Sequence, residues 1–374
     1  MEIKEKKIES ITPGMNRRLP FPKADPELWD RVHRQGFAAY PERYENFQKY
    51  KMSKRGVVVD HLPVRLDIEN VSRCNFHCQM CQVSDWPGFK RTRDMTLEEF
   101  KALLNEQYGL TEIKLQGMGE PLIAGQTFFD MVEHARKRHL WVRSITNGSI
   151  LHVKENYKKV IDADVCELHV SIDGTTAEVF EKIRRGGKFP KVTANAKLLN
   201  TYAQAQGRDR TRMWTVVQAD NFHQLEAFPV LAAELGFTRC TLSLDLNDWG
   251  QEEWKDNNNQ RDKHHDLSIE RARAIIEIGE KLGVEVTYWY MDSKYELGTT
   301  PDKLCPWPFS RGYISSEMKL VPCCMVANPD VANLGDATHL TETWNGKKMQ
   351  GFRKAHLTGK LPKICQDCYY KGQH

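Results

Sequence analysis

From Val64 onward, short apolar runs alternate with longer amphipathic stretches, and the alternation holds to about residue 285. "VRLDIEN", "EIKLQG", "LWVRSITNG", "VCELHVSIDG", "RMWTVVQA" and "CTLSLDLND" read as six strands that end on polar residues. Between them, "TLEEFKALLNEQ" reads as a helix with Thr96 as N-cap and Glu99 completing a capping box. "TFFDMVEHARKRH" and "QLEAFPVLAAELG" carry the same helical character. Strands separated by helices at this spacing predict a parallel sheet with helical crossovers, either an open doubly wound sheet or an incomplete barrel. Both architectures gather ligands at the C-terminal edges of the strands. Those tips are "ENVSRC", "QGMGEP", "TNG", "SIDG", "QADN" and "DLNDW", so the chemistry is expected at one end of the sheet.

The pattern divides the chain into three. Residues 1–62 are polar and mixed, with one helical stretch around "PELWDRVHRQGFAAY" and no recognisable chemistry. Residues 63–285 hold the strand–helix repeat. In 286–374 the repeat stops after the end of one more strand, "VEVTYWY", and Pro, Gly and Cys become frequent. This predicts a small second domain held together by something other than a large core.

The chain has 374 residues, 40% of them hydrophobic, with 54 basic side chains against 50 acidic. A formal charge of +4 does not point to nucleic acid or an anionic membrane as the main partner. No run approaches the 18 apolar residues of a membrane span, and "MEIKEKKIES" lacks the apolar region of a secretory signal. A cytoplasmic protein is the expectation, in which the ten cysteines are not structural disulfides. Cys166 and Cys240 stand singly in apolar stretches and read as buried, inert thiols.

"CNFHCQMC" sets Cys74, Cys78 and Cys81 on the loop after the first strand. A disulfide needs two thiols and a zinc centre four ligands. A [4Fe–4S] cluster on three protein thiolates leaves one iron open for a small molecule and fits the count better. A zinc site borrowing a distant fourth ligand is the alternative.

C-x3-C-x2-C in this position resembles the signature of radical S-adenosylmethionine (SAM) enzymes, whose fold is a partial (β/α)6 TIM-type barrel. The resemblance implies that Cys74, Cys78 and Cys81 hold a cluster whose open iron chelates SAM. One electron then gives a 5′-deoxyadenosyl radical that abstracts hydrogen from the substrate. A flavodoxin- or ferredoxin-type protein would supply that electron. Met80 matches the apolar position near the adenine. "QGMGEP" resembles the family's glycine–glutamate motif, so Gly117, Met118, Gly119 and Glu120 would meet the methionine ammonium. Thr146, Asn147 and Gly148 of "TNG", with Ser171 and Asp173 of "SIDG", resemble tips that meet ribose and carboxylate. In "KIRRGG", Arg184 would pair with the methionine carboxylate. The motifs identify no catalytic acid or base.

The remaining cysteines lie in "LCPWPF" (Cys305), "LVPCCMV" (Cys323, Cys324) and "ICQDCYYKG" (Cys365, Cys368). By ligand type alone, four thiolates favour zinc. With "ETWNGKKMQGFR" between them, the arrangement resembles the SPASM/twitch domains that follow radical SAM barrels. That resemblance implies a second [4Fe–4S] cluster on Cys305, Cys323, Cys365 and Cys368. Cys323 is preferred to Cys324 because the ligand follows the proline in the family pattern. Four protein ligands leave no open iron, so an electron-relay or structural role is expected.

One auxiliary cluster resembles the aminocyclitol dehydrogenases, which makes a sugar or cyclitol the expected substrate, to be oxidised, epimerised or otherwise altered. The alternative is a maturase acting on a ribosomally made peptide. The absence of a three-strand pattern in residues 1–62 counts against a leader-binding module. The loop "NDWGQEEWKDNNNQRDKHHD", with Trp249 and Trp254, offers aromatic platforms at the ligand edge, while His264 and His265 read as exposed. A zinc-binding scaffold protein is the non-enzymatic reading.

Overall fold

The structure, a computed structural model, describes residues 19–244, 249–251, 267–290, 297–298, 300 and 303–370. Two helices, α1 (Pro26–Ala39) and α2 (Pro41–Met52), precede the repeat. Seven strands then run parallel and in chain order across one sheet. They are β1 (Arg65–Ile68), β2 (Glu112–Leu115), β3 (Trp141–Thr146), β4 (Glu167–Ser171), β5 (Thr211–Val216), β6 (Arg239–Ser243) and β7 (Glu285–Trp289). Among the crossover helices are α3 (Leu97–Glu106), α4 (Gln126–Lys137), α5 (Asn156–Asp162), α6 (Ala177–Ile183), α7 (Phe189–Ala205) and α8 (Ala227–Glu234). The fold is α/β, a partial barrel of six strand–helix units followed by a seventh strand at the edge of the open sheet. That strand extends the parallel sheet past residue 285, where periodicity alone placed a boundary.

The capping box on α3 forms as the sequence requires, with the Glu99 backbone N–H donating to Thr96 and the Glu99 carboxylate accepting from the Thr96 backbone. Strand side chains alternate between two environments. Leu66, Ile68, Ile113, Leu115, Leu168, Val170, Met213, Cys240 and Leu242 are buried in the apolar core with the helices. Their neighbours Arg65, Asp67, Lys114, Arg143, Glu167, His169 and Trp214 line an internal cavity. The helical layer therefore supplies the hydrophobic stabilisation, and the lumen is left polar.

The C-terminal part joins the same sheet. β8 (Arg311–Ile314) pairs in parallel with the free side of β1, from Arg65 opposite Arg311 to Ile68 opposite Ile314. β9 (Lys319–Val321) and β10 (Gly335–Asp336) continue it antiparallel. Glu69, at the end of β1, is fully buried and fastens this junction. Its carboxylate pairs with Arg91 (3.0 Å) and accepts from the Ser316 N–H (3.0 Å), the Tyr313 hydroxyl (3.3 Å) and the Met118 N–H (3.1 Å).

Residues ahead of the repeat close the other end of the barrel. Leu28 and Val32 of α1 bury Trp141 and Cys166 at the starts of β3 and β4. The Pro20 carbonyl accepts from the Tyr288 N–H (2.8 Å), and the Lys23 carbonyl accepts from the Arg212 guanidinium (3.0 Å). Phe21, Pro22, Lys23 and Ala24 thus form a floor under the cavity, a role the sequence did not reveal. Among the described residues, no helix is long and apolar enough to cross a membrane.

Candidate active site

A cavity of about 340 Å³ opens at the C-terminal edge of the strands and descends into the lumen. Its upper wall brings together Cys74, Met80, Cys78 and Cys81 from the β1 loop, Gly117–Glu120 after β2, Thr146 and Asn147 after β3, Ser171 on β4, and Arg184 after α6. Residues up to 110 positions apart in sequence therefore share one wall because four parallel strand tips and the end of α6 deliver them there.

The cysteine loop is held by main-chain bonds on both sides. The His77 and Gln79 N–H groups donate to the Arg185 and Ile183 carbonyls (2.8 and 2.9 Å), and the Cys74 N–H donates to Phe89 (3.2 Å). Asn147 donates to the Asn75 side chain (3.0 Å), which in turn donates to Ser149 (2.8 Å). Gly119 lies under the loop: a Cβ there would stand 2.3 Å from the Arg73 carbonyl oxygen and 2.6 Å from that of Val71. Close approach of the loop backbone is what the glycine permits.

Burial pushes the Cys74 thiol up to about 12 and raises Cys78 and Cys81 as well. Three such groups ionise together only if positive charge is supplied beside them, as the irons of a cluster would do. Burial likewise pushes the Glu120 carboxyl up to about 7, although it accepts from the Asn147 N–H (2.7 Å) and the Thr146 hydroxyl (2.6 Å). A carboxyl in that state becomes fully charged when a cation arrives, which suits an ammonium ligand.

Asp173, expected to contact the cofactor, is fully buried and is not among the residues that line the cavity. Its carboxylate pairs with the Arg184 guanidinium (2.7 Å) and accepts from the Val216 N–H (2.8 Å). It holds Arg184 on the cavity wall, and Arg184 faces the ligand space in its place.

The structure brings the cysteines of the second set near one another. The Cys323 thiol has Cys324, Cys365, Cys368 and Cys305 as its charge neighbours, and its ionisation is raised by burial first. The Tyr369 hydroxyl accepts from the Cys305 N–H (2.6 Å), tying that loop to the closing helix. Cys324, a charge neighbour of both Cys323 and Cys305, also lines the cavity and stands in the electrostatic surroundings of Lys114 and Tyr313. Among the described residues, no three His, Cys, Asp or Glu side chains converge as ligands of one ion. A cubane puts each thiolate on its own iron, so its ligands surround a volume; a zinc centre draws them to a point. Replacing Cys323 with alanine should lower reconstituted iron from about eight to about four per chain, whereas Cys324→Ala should keep about eight. Iron and sulfide assays read the difference, and equal loss in both variants would contradict this division.

Two regions of the chain match known domain families: the radical SAM superfamily over residues 69–213 and an iron–sulfur cluster-binding domain, SPASM, over 305–369. The chain carries a radical SAM domain followed by a SPASM domain. These domains imply [4Fe–4S] clusters and S-adenosylmethionine as its cofactors. It is 28% identical to the mycofactocin maturase MftC of Mycolicibacterium smegmatis over 195 residues, 52% of this chain and 48% of the relative. It is 33% identical to a GTP 3′,8-cyclase of Pseudomonas fluorescens over 190 residues, 49% of this chain and 55% of the relative. The chain thus spans about half the length of the curated relatives it matches. In fold it resembles Streptococcus suis SuiB bound to the precursor peptide SuiA, with a TM-score of 0.61 and 13% identity over 83% of this chain and 69% of that one. It also resembles anSMEcpe with bound AdoMet, with a TM-score of 0.57 and 20% identity over 82% and 87% of the two chains.

Within the radical SAM domain the cavity continues below the motif residues, into a region the sequence reading missed. Asp67, Lys114, Arg143, Glu167, His169, Trp214 and Trp289 form its lower wall. A signal was present: "RLDI", "EIKL" and "ELHV" place charged residues at every second position of strands that a parallel sheet ordinarily buries on both faces. Trp249 lines the mouth and donates its indole N–H to the Met80 carbonyl (3.2 Å). Trp254, His264 and His265 lie outside the described residues.

Proposed function

We propose that this chain is a radical SAM maturase that modifies a peptide. The observation that carries the reading is its likeness to the mycofactocin maturase over 195 residues. The sugar or cyclitol expectation rested on the number of auxiliary cysteines, and the relatives named above favour a peptide. Cys74, Cys78 and Cys81 would hold a [4Fe–4S] cluster, which would supply one-electron reduction of SAM and, through it, hydrogen-atom abstraction from the substrate. The chain's own residues bind and orient. Glu120 receives the methionine ammonium, Arg184, braced by Asp173, receives the carboxylate, and Met80 packs by the adenine. Cys305, Cys323, Cys365 and Cys368 hold the second cluster, which serves as an electron relay or a structural brace.

A compact heterocyclic substrate is a second reading, favoured by the likeness to GTP 3′,8-cyclase and by Trp214 and Trp289 on the cavity wall. Co-expression with short peptides encoded beside the gene, followed by mass spectrometry, separates the two. A SAM-dependent mass change in one peptide is the expected result. No change in any peptide, together with GTP-stimulated release of 5′-deoxyadenosine, would overturn the peptide reading.

A further inference from the structure

The lumen below the SAM-facing wall carries a charge arrangement that the radical step does not use. Lys114 and Arg143 are register neighbours on adjacent strands, and both line the cavity. Two like charges side by side repel and destabilise the pair unless an anion lies between them. The other charges around them are already engaged. Arg65 pairs with Asp67 (3.3 Å) and Glu112 (3.3 Å), Arg143 reaches Glu112 through one terminal nitrogen, and Arg212 pairs with Glu167 (3.0 Å).

Two donors are left over. Among the described residues, none hydrogen-bonds or ion-pairs with the Lys114 ammonium. The Arg143 Nε is buried with no hydrogen-bond partner. Along the inner faces of the strands Arg65, Arg143 and Arg212 each have a carboxylate partner, and Arg212 has a second one in Glu285 (3.8 Å). His169 adds no charge, since burial pulls it down to about 4. Among the described residues Lys114 is the cation of this wall without a carboxylate in ion-pair reach, which suits a carboxylate arriving with the substrate.

The shape narrows the ligand further. Phe21–Ala24 close the lumen from below, so no chain can thread through it. Only the end of a molecule, or an extended side chain, reaches Lys114. Above this point Trp214, stacked on His169 at 4.7 Å, and Trp289, 6.2 Å from Trp214, offer apolar walls to the adjoining group.

We propose that Lys114 and Arg143 form a subsite for a substrate carboxylate at the blind end of the lumen. Only the identity of the molecule bearing that carboxylate rests on the peptide reading. A peptide offers two sources, its C-terminus or an aspartate or glutamate side chain. Bound there, the carboxylate fixes how deep the substrate sits and so which carbon stands level with the SAM-facing wall. Burial pulls the Lys114 ammonium below its ordinary range, with Arg143 and Arg65 adding to the effect and Asp67 and Cys324 opposing it. An arriving anion reverses that cost.

The test uses reconstituted, SAM-loaded protein and three fluorinated probes followed by 19F NMR. N-trifluoroacetyl-glycine carries a terminal carboxylate, its amide carries none, and the α-amide of N-trifluoroacetyl-aspartate carries only a side-chain carboxylate. Saturable broadening of at least one acid probe and none of the glycine amide is expected, and the acid that binds more tightly names the source. Lys114→Met should weaken binding about tenfold or more, and Lys114→Arg should restore most of it. Iron content and SAM binding in each variant report that the rest of the site is intact. Equal broadening by acid and amide in the unaltered protein would overturn the subsite whatever the variants do. Acid-selective binding with no peptide ever modified would keep the subsite and remove the peptide reading.

Discussion

Gly119→Ala should yield a folded protein that has lost the cluster in its barrel while keeping the second one. The added Cβ would meet the Arg73 and Val71 carbonyl oxygens at 2.3 and 2.6 Å. Both belong to backbone, which cannot rotate aside as a side-chain tip can. The Glu120 N–H bond to the Arg73 carbonyl (3.0 Å) lies in the same contact. Relief therefore requires the loop to lift away at the residue before Cys74, and the three thiols move with it. Iron should fall from about eight to about four per chain. Release of 5′-deoxyadenosine should drop by about a hundredfold or more, the scale on which an ångström of misplacement acts. Gly351→Ala is the matched control, because a Cβ there meets nothing within 4 Å. Full iron in the Gly119 variant would show that the loop and the β2 tip are not coupled.

The second large effect concerns Arg184. Arg184→Gln leaves the Asp173 carboxylate buried without its charge partner, which should cost about 3–5 kcal/mol of stability at neutral pH. Burial already raises Asp173 with Arg184 present, and without the arginine it should rise further. A carboxyl raised in the folded state binds protons that the unfolded chain releases near pH 3.9, so the variant's stability should fall as pH rises from about 4 through the raised value. Thermal melts at several pH values check the sign. Asp173→Asn added to Arg184→Gln should recover much of the stability and none of the SAM affinity. Recovery of both would remove Arg184 from the cofactor site.

These two cases mark where the sequence is informative and where it stops. The strands, the capped helix after Thr96 and the cysteine loop are local patterns, and each is written in consecutive residues. Gly119 was legible as a glycine at a ligand edge, but its reason lies in the loop that crosses it, whose approach no local pattern encodes. Asp173 was assigned to the cofactor through the resemblance of "SIDG" to a family motif; its pairing with Arg184 became visible only in the fold. The floor at Phe21–Ala24 has no periodicity at all, since it is held through main-chain carbonyls at Pro20 and Lys23 that any residue could supply. Lys114 and Arg143 were readable in principle, as charges in strands that should have been apolar. Their adjacency needed the strand register.

The pairing of β1 with β8 has a consequence for biosynthesis. β1 leaves the ribosome early, whereas its partner at Arg311–Ile314 and the Ser316 N–H that grips Glu69 emerge only after most of the chain has been made. Throughout that interval one edge of β1 stays open, and the strand that carries the cysteine loop is held from one side only. Contacts so distant in sequence form slowly. A chain halted before β8 therefore carries the cysteine loop on a strand paired along one edge only.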